Sequence, residues 1–222
     1  IVGSTTIGKR NIVRAGAVIG SPPQDKSHNG VQTHVHIGDD NDIREYATIN
    51  AAAGDDQAAT VVGNANYLMA YSHVGHNCVV DDHVVLANDV NLGGYVHVGR
   101  GAYLGGLASV HQFVRIGELA IVSGYSKTVQ DAPPFMTVVG QPTRVAGLNT
   151  VGLDRAGFTR EDKRSLKQAH RLLFRSGLSY ATAIDRINME LSDSEHLRLL
   201  VEFMQTTTRG VCRGKCNGQG RG

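Results

Sequence analysis

From Val62 to Val122 an aliphatic residue returns at every sixth position: Val62, Leu68, Val74, Val80, Leu86, Leu92, Val98, Leu104, Val110, Ile116 and Val122. A helix repeats its apolar face near 3.6 residues and a half-buried strand every two, so a period of six describes a larger supersecondary unit, the hexapeptide β-helix. The same step appears at Ile1, Ile7, Val13 and Ile19, and again at Ile37, Ile43 and Ile49. Three hexads close one triangular coil, so residues 18 apart are expected to stack at the inter-strand spacing of about 4.8 Å. The pattern predicts about six coils. The residue after each inward aliphatic is often Gly, as at Gly8, Gly20, Gly38, Gly63, Gly75, Gly93, Gly99, Gly105 and Gly117, with Gly3 two places after Ile1. These glycines are expected to turn the corners. Handedness does not follow from periodicity: crossovers are nearly always right-handed, and hexapeptide proteins are the left-handed exception.

Two interruptions read as loops. Residues 21–36 open on Pro22 and Pro23, which cannot serve interior ladder strands, and residues 51–60 are small and polar. Past Val122 the period fails, and DAPPFMTVVGQPTRVAGLN reads as a wandering extended segment covering the solenoid end. Helical periodicity begins at Thr159, which forms a capping-box pattern with Asp162, and its stripe is Leu166, Ala169, Leu172 and Leu173. Residues 180–191 and 194–205 predict two more helices. The predicted organisation is a β-helix over 1–150, a helical domain over 151–209 and a disordered Gly-rich tail over 210–222.

Composition narrows the class. Only 5% of residues are aromatic and none is Trp, while 27 are Gly, which suits a narrow core of Val, Ile, Leu and Ala. The net charge of +2 comes with no basic stripe interleaved with aromatics, which argues against nucleic acid. No apolar run approaches the ~20 residues of a membrane span, and no secretion signal is visible. Three cysteines, Cys78, Cys212 and Cys216, are too few and too odd for a disulfide framework. A soluble cytoplasmic protein is expected. The chain opens on Ile1, in phase with the repeat and with no Met before it, so a fragment lacking N-terminal coils is also expected.

The sharpest chemical cluster is Ser72-His73-Val74-Gly75-His76-Asn77-Cys78, inside the unbroken run. Adding 18 takes His76 to Gly94 and Asn77 to Tyr95; adding 36 takes His76 to Gln112, beside His111. His76 and Gln112 are then about 10 Å apart along the axis. An imidazole takes and returns a proton near neutral pH, and a bare glycine N–H one coil away suits an oxyanion. The plainer reading is a solvated corner carrying polar residues. Of His28, His34 and His36 the last two alternate on a strand-like segment and no Cys pair accompanies them, and Cys212-x-x-x-Cys216 lacks a partner pair, so no metal is expected. Asp25 fits a turn in its Pro-bounded loop equally well. Arg160, Arg164, Lys167 and Arg171 form either a solvated helix face or a docking patch for an acidic carrier protein.

The chain resembles the acyl carrier protein-dependent UDP-N-acetylglucosamine O-acyltransferases that open lipid A synthesis. The resemblance rests on Gln24-Asp25, IGDDNDIREYATI, NYLMAYSHVGHNC, VLANDVNLGGYV, GGLASVHQFVRIG, QDAPPF, GLNTVGLDRAGF and a helical end carrying Arg175-Ser176-Gly177 and Thr207-Thr208-Arg209-Gly210. It implies a left-handed parallel β-helix with a C-terminal helical domain, working as a cytoplasmic homotrimer with sites in the clefts between subunits. It implies transfer of a 3-hydroxyacyl chain from acyl carrier protein to the sugar 3-hydroxyl, with no cofactor and no metal. By position it makes His76 the general base and Gly94 N–H the oxyanion donor. Gln24, Asp25, His73, His111 and Gln112 match positions around the sugar or reaction centre, Asn149 and Arg155 match nucleotide contacts, and Gly124 matches a limit of the acyl groove.

The chain departs from the family at four places. Asn77 stands where an Asp is common, Tyr95 where a His is frequent, Ser27 where a Lys is usual, and Ala156 where a second Arg follows Arg155. Rival readings are the sibling N-acyltransferase or a divergent acyltransferase on another nucleotide sugar. A zinc carbonic anhydrase on the same solenoid would need a third imidazole converging with His73 and His76, and a non-catalytic β-helix scaffold needs none.

Overall fold

The computed structural model describes residues 1–192 and 194–214. Short strands from Ser4–Ile7 to Lys127–Thr128 visit three sheets in rotation, each pairing in parallel with a strand one coil away. The first face carries Val61, Val79, His97 and Arg115 in register. The second carries Tyr67, Val85, Tyr103 and Ile121, and the third Thr48, His73, Asn91, Ser109 and Lys127. The fold is a left-handed parallel β-helix with a few C-terminal helices.

Every aliphatic of the sixth-position run is at most 3% exposed. A second inward position lies two residues before each of them: Thr60, Asn66 and Ser72 in the first coil of the run, then Cys78, Val84, Val90, Val96, Ala102, Ala108, Val114 and Ala120, all essentially sealed. From Cys78 onward each face thus contributes two small or medium apolar side chains, while the coil before it closes the interior with one aliphatic and one buried polar side chain per face.

The corners are not built as the sequence suggests. Left-handed backbone falls on the third residue after each inward aliphatic: Ala65, Tyr71, Asn77, His83, Asp89, Tyr95, Gly101, Leu107, Phe113, Leu119 and Tyr125 all have φ between 52° and 65°. Of the ten glycines expected to turn corners, only Gly3 and Gly20 have positive φ. The others permit close stacking: a Cβ on Gly75 would lie 2.7 Å from Leu92 O, and one on Gly99 2.7 Å from Glu118 N. The coil register holds bulky residues in a backbone conformation they otherwise avoid.

Partners across the first loop are 30 residues apart, as in Ser4 with His34, and partners across the second are 25 apart, as in Thr48 with His73. Both loops are shorter than expected, because His34–Ile37 and Ala59–Val62 are paired strands. The supposed wandering segment is largely an antiparallel hairpin of Met136–Gly140 and Thr143–Leu148, whose first strand extends the second face by pairing Thr137 with Ile121. A short helix not foreseen, α1 (Thr150–Arg155), follows.

Helix α2 (Arg160–Arg175) starts at the Thr159 and Asp162 capping box, with both reciprocal bonds made. α3 (Tyr180–Glu190) and α4 (Glu195–Gln205) start at Ser179 and Ser194, whose hydroxyls accept from Thr182 N–H and Leu197 N–H. Leu166, Ala169, Leu173, Ile184, Ile187, Leu197 and Leu200 form their shared core. The carboxylate of Asp131, 1% exposed, fastens α4 and the following segment to the solenoid. It accepts from Arg115 N–H and Nε and from the Thr207 hydroxyl, while Arg115 also donates to Thr206 and Phe203 O.

Residues 210–214, expected in a disordered tail, are docked: Val211 bridges Asp131, Gly214 bridges Val145, and Cys212 is fully buried with its thiol pushed up to about 11 by burial. The rest of that expected tail, with Cys216, lies outside the described residues. Among the described residues no helix is long and apolar enough to cross a membrane.

Leu92→Ala, which hollows the sealed interior, is expected to cost about 2–5 kcal/mol. Val79→Ala, at an outward position of a strand on the first face, is expected to cost under about 1 kcal/mol. Urea unfolding followed by circular dichroism separates the two; equal losses would deny that the sixth-position stack carries the fold.

Candidate active site

His76 stands on the edge joining the third face to the first, and the 18-residue register sets Gly94 and then Gln112 along that same edge. Contact is direct: a Cβ on Gly94 would overlap His76 at Nε2 and Cε1. Gly94 is buried, its carbonyl accepts from Phe113 N–H, and among the described residues its own N–H makes no backbone hydrogen bond. The half-buried imidazole therefore lies across a peptide whose donor is uncommitted, as the sequence spacing predicts.

The tautomer follows from the neighbours. His76 Nδ1 is 2.8 Å from Asn77 Oδ1. The Asn77 amide is oriented by Ala53, whose N–H donates to Oδ1 at 2.8 Å and whose carbonyl accepts from Nδ2 at 2.9 Å. An amide oxygen only accepts, so Nδ1 carries the hydrogen and Nε2 presents its lone pair. Nε2 is the atom beside Gly94.

His73, on the third face, is 2.7 Å through Nδ1 from the Thr48 hydroxyl. Burial, and secondarily the neighbouring His76, lower its pKa from the ordinary histidine value, so it is neutral at pH 7. Asp25 turns its loop by accepting from Ser27 N–H and hydroxyl. Those bonds, with smaller contributions from His76 and His28, hold its carboxyl below the usual range. Gln24 beside it is exposed. A cavity of about 650 Å³ lies between the two loops, lined by Asp25, His28, Ala53, Asp56 and Tyr95 among others. Tyr95 meets His76 edge to face at 5.4 Å and stacks on Phe113 at 4.9 Å. His111 and Gln112 are exposed further along the edge, and His111 Nδ1 is 3.1 Å from the Arg209 guanidinium.

Asn149 and Gly124 lie on other edges. Asn149 caps α1 by accepting from Gly152 N–H, and it donates to Leu119 O on the edge between the first and second faces. It is 6% exposed, so its amide is committed to the fold within the single chain. Arg155, at the end of α1, is exposed. Gly124 is exposed on the third edge, where a Cβ would lie 3.1 Å from Gly106 O. One chain thus gathers Asp25, His73, His76 and Gly94, and leaves Asn149, Arg155 and Gly124 apart. Sequence reasoning missed the bond of Asn77 to Ala53, because loop length breaks the 18-residue arithmetic there, and the bond to Thr60, which lies one residue off the 18-residue register. A smaller cavity of about 230 Å³ against α4, lined by Arg100, Arg115 and Phe203, holds none of the predicted residues.

Residues 131–212 match domain 2 of the UDP-N-acetylglucosamine O-acyltransferase family. The chain is 44% identical, over 99% of its length and 79% of the relative's, to the acyl-[acyl-carrier-protein]–UDP-N-acetylglucosamine O-acyltransferase of Gloeothece citriformis. It is 47% identical to the same-named protein of Synechocystis over 84% of this chain and 67% of that one. Among solved structures, UDP-N-acetylglucosamine O-acyltransferase from Moraxella catarrhalis superposes with a TM-score of 0.91 at 38% identity, covering 95% of this chain and 82% of that one. The acyltransferase from Arabidopsis superposes at 0.89 and 32% identity, covering 95% and 77%.

Burial lowers the pKa of both His73 and His170. The unfolded chain then binds more protons as pH falls through about 6.5, so stability is lost below that value. Between about pH 7.5 and 5.5 the urea midpoint should fall, and His73→Gln with His170→Gln should flatten that slope. An unchanged slope would show that neither imidazole is held neutral.

Proposed function

The chain belongs to the UDP-N-acetylglucosamine O-acyltransferase family, and on that premise we propose that it moves a 3-hydroxyacyl chain from acyl carrier protein to the 3-hydroxyl of UDP-N-acetylglucosamine. This is the first step of lipid A biosynthesis. The observation that carries the reading is the contact of His76 Nε2 with Gly94, whose N–H is free to receive a developing oxyanion. Nε2 takes the proton of the sugar hydroxyl, and the oxygen attacks the thioester carbonyl carbon. The tetrahedral oxyanion is held by Gly94 N–H. Collapse breaks the carbon–sulfur bond, and the imidazolium returns its proton to the departing thiolate. No metal or cofactor enters this scheme.

Asp25, Gln24, His73, His111 and Gln112 line the acceptor and reaction centre in this proposal. The position of Asn149 on the edge at Leu119, with Arg155 six residues on in the chain, supports a site completed by a second copy, since one triangular prism cannot turn two of its edges toward one substrate. A homotrimer with three such clefts is the proposed assembly. The second face offers a surface for it: Ile12 and Tyr103 are 47% and 42% exposed, and Tyr46, Tyr71, Leu107 and Tyr125 stand exposed on the adjoining edge. Gly124 leaves room for the acyl chain beside Gly106. The free, buried Cys78 and Cys212 accord with a cytoplasmic setting.

Arg160, Arg164, Lys167 and Arg171 are exposed at helical spacing along α2 and form the proposed seat for the acidic carrier. Arg164→Glu with Lys167→Glu should raise KM for the acyl carrier protein about tenfold or more and leave KM for the nucleotide sugar unchanged. The primary test supplies UDP-N-acetylglucosamine and 3-hydroxyacyl carrier proteins of several lengths. His76→Ala is expected to lose a factor on the order of 10² to 10⁴ in kcat. Product formed equally by both proteins would remove His76 as the base.

A further inference from the structure

Asn77 makes more hydrogen bonds than orientation of one imidazole requires. Its N–H donates to the buried Thr60 hydroxyl at 2.8 Å, and its side chain meets Ala53 twice, taking the N–H on Oδ1 and giving an Nδ2 hydrogen to the carbonyl. Oδ1 has two lone pairs, and the second accepts His76 Nδ1–H. Ala53 is 5% exposed and begins the wall that continues through Gly54, Asp55 and Asp56 along the 650 Å³ cavity. The amide is therefore a two-sided clamp, with the cavity loop on one side and the imidazole on the other.

We propose that Asn77 is the positioning residue of His76, and that an amide rather than a carboxylate is required there because the same side chain must donate to Ala53 O. The proposal rests on His76 being the base. A carboxylate would accept Ala53 N–H and His76 Nδ1–H as well as the amide does, and would add charge stabilisation to the imidazolium. Its second oxygen would face the Ala53 carbonyl at hydrogen-bond distance with no hydrogen between them. Two acceptors in a buried contact repel, so the loop or the carboxylate moves and the imidazole loses its fixed tautomer or direction. Asn77 also has φ of 58°, in the left-handed region that Asn tolerates, so it serves the corner and the clamp together.

The test uses Asn77→Asp and Asn77→Gly in the full chain, the glycine variant removing the amide without straining the left-handed corner. In the unaltered protein, ¹⁵N imidazole shifts should report His76 hydrogenated at Nδ1, a result independent of whether any variant folds. Asn77→Gly should mix the tautomers and lower kcat about tenfold or more with KM for the nucleotide sugar within about threefold. Asn77→Asp should lower kcat by a similar factor despite supplying a negative charge. Asn77→Asp matching or exceeding the unaltered enzyme would overturn the proposal, as would an Nε2-hydrogenated His76. A loss confined to KM would overturn it too, because it would make Asn77 a substrate contact. If His76→Ala keeps full activity, the underlying assignment of the base fails instead, and the Asn77 variants then have no bearing on catalysis.

Discussion

The structure depends on one constraint: each coil must lie on the next at strand spacing, with a sealed aliphatic from every face filling a closed triangular interior. Leu68, Leu86, Leu104 and Val122 stack down one inner face, Val74, Leu92 and Val110 down another, and all are sealed. Because the ladder is parallel and uninterrupted from residue 59 onward, the register cannot slip by one residue without turning that whole set outward. The same rigidity fixes what stands on the edges. His76 rests on Gly94 for the reason that Val74 rests on Leu92.

Polar groups then adapt to this frame. The edge carrying His76 has a left-handed residue in each coil, Asn77, Tyr95 and Phe113, and their side chains brace or bond the imidazole or one another. The loop beginning at Ala51 returns to the same edge through Ala53 and Thr60. At the far end, the buried Asp131 with Arg115 anchors α4 and the Thr207 segment. A buried carboxylate left without Arg115 would be costly, so the helical domain and the solenoid are expected to move as one. Arg209, in that anchored segment, reaches His111.

Much of this was legible in the residues. A period of six specifies the solenoid, and a step of 18 residues sets Gly94 and Tyr95 beside His76 and Asn77. The Thr159 and Asp162 box marked the start of α2. What escaped was governed by backbone angle or by distant partners. Glycines looked like corner residues, yet Tyr71, Leu107 and Phe113 hold positive φ, because register, not side-chain type, imposes it. The Met136–Gly140 hairpin was hidden by Pro133, Pro134 and Pro142, which suggest irregular chain. Residues 210–214 look too glycine-rich to order, but strand-like bridges to Asp131 and Val145 hold them. Asn149 matched a nucleotide contact, whereas the single chain shows its amide employed as a helix cap.

In the proposed assembly His76 on one edge meets the Asn149 and Arg155 end of α1 from a second copy, so a working site is shared by two copies. Mixing subunits tests it most directly. His76→Ala and Arg155→Ala proteins, each weak alone, are co-assembled and assayed for acyl transfer to UDP-N-acetylglucosamine. Random mixing places an intact His76 opposite an intact Arg155 in roughly a quarter of the clefts, so activity should recover toward that fraction of the unaltered enzyme. Mixed assemblies no more active than their parents would contradict the account and put the whole site within one chain.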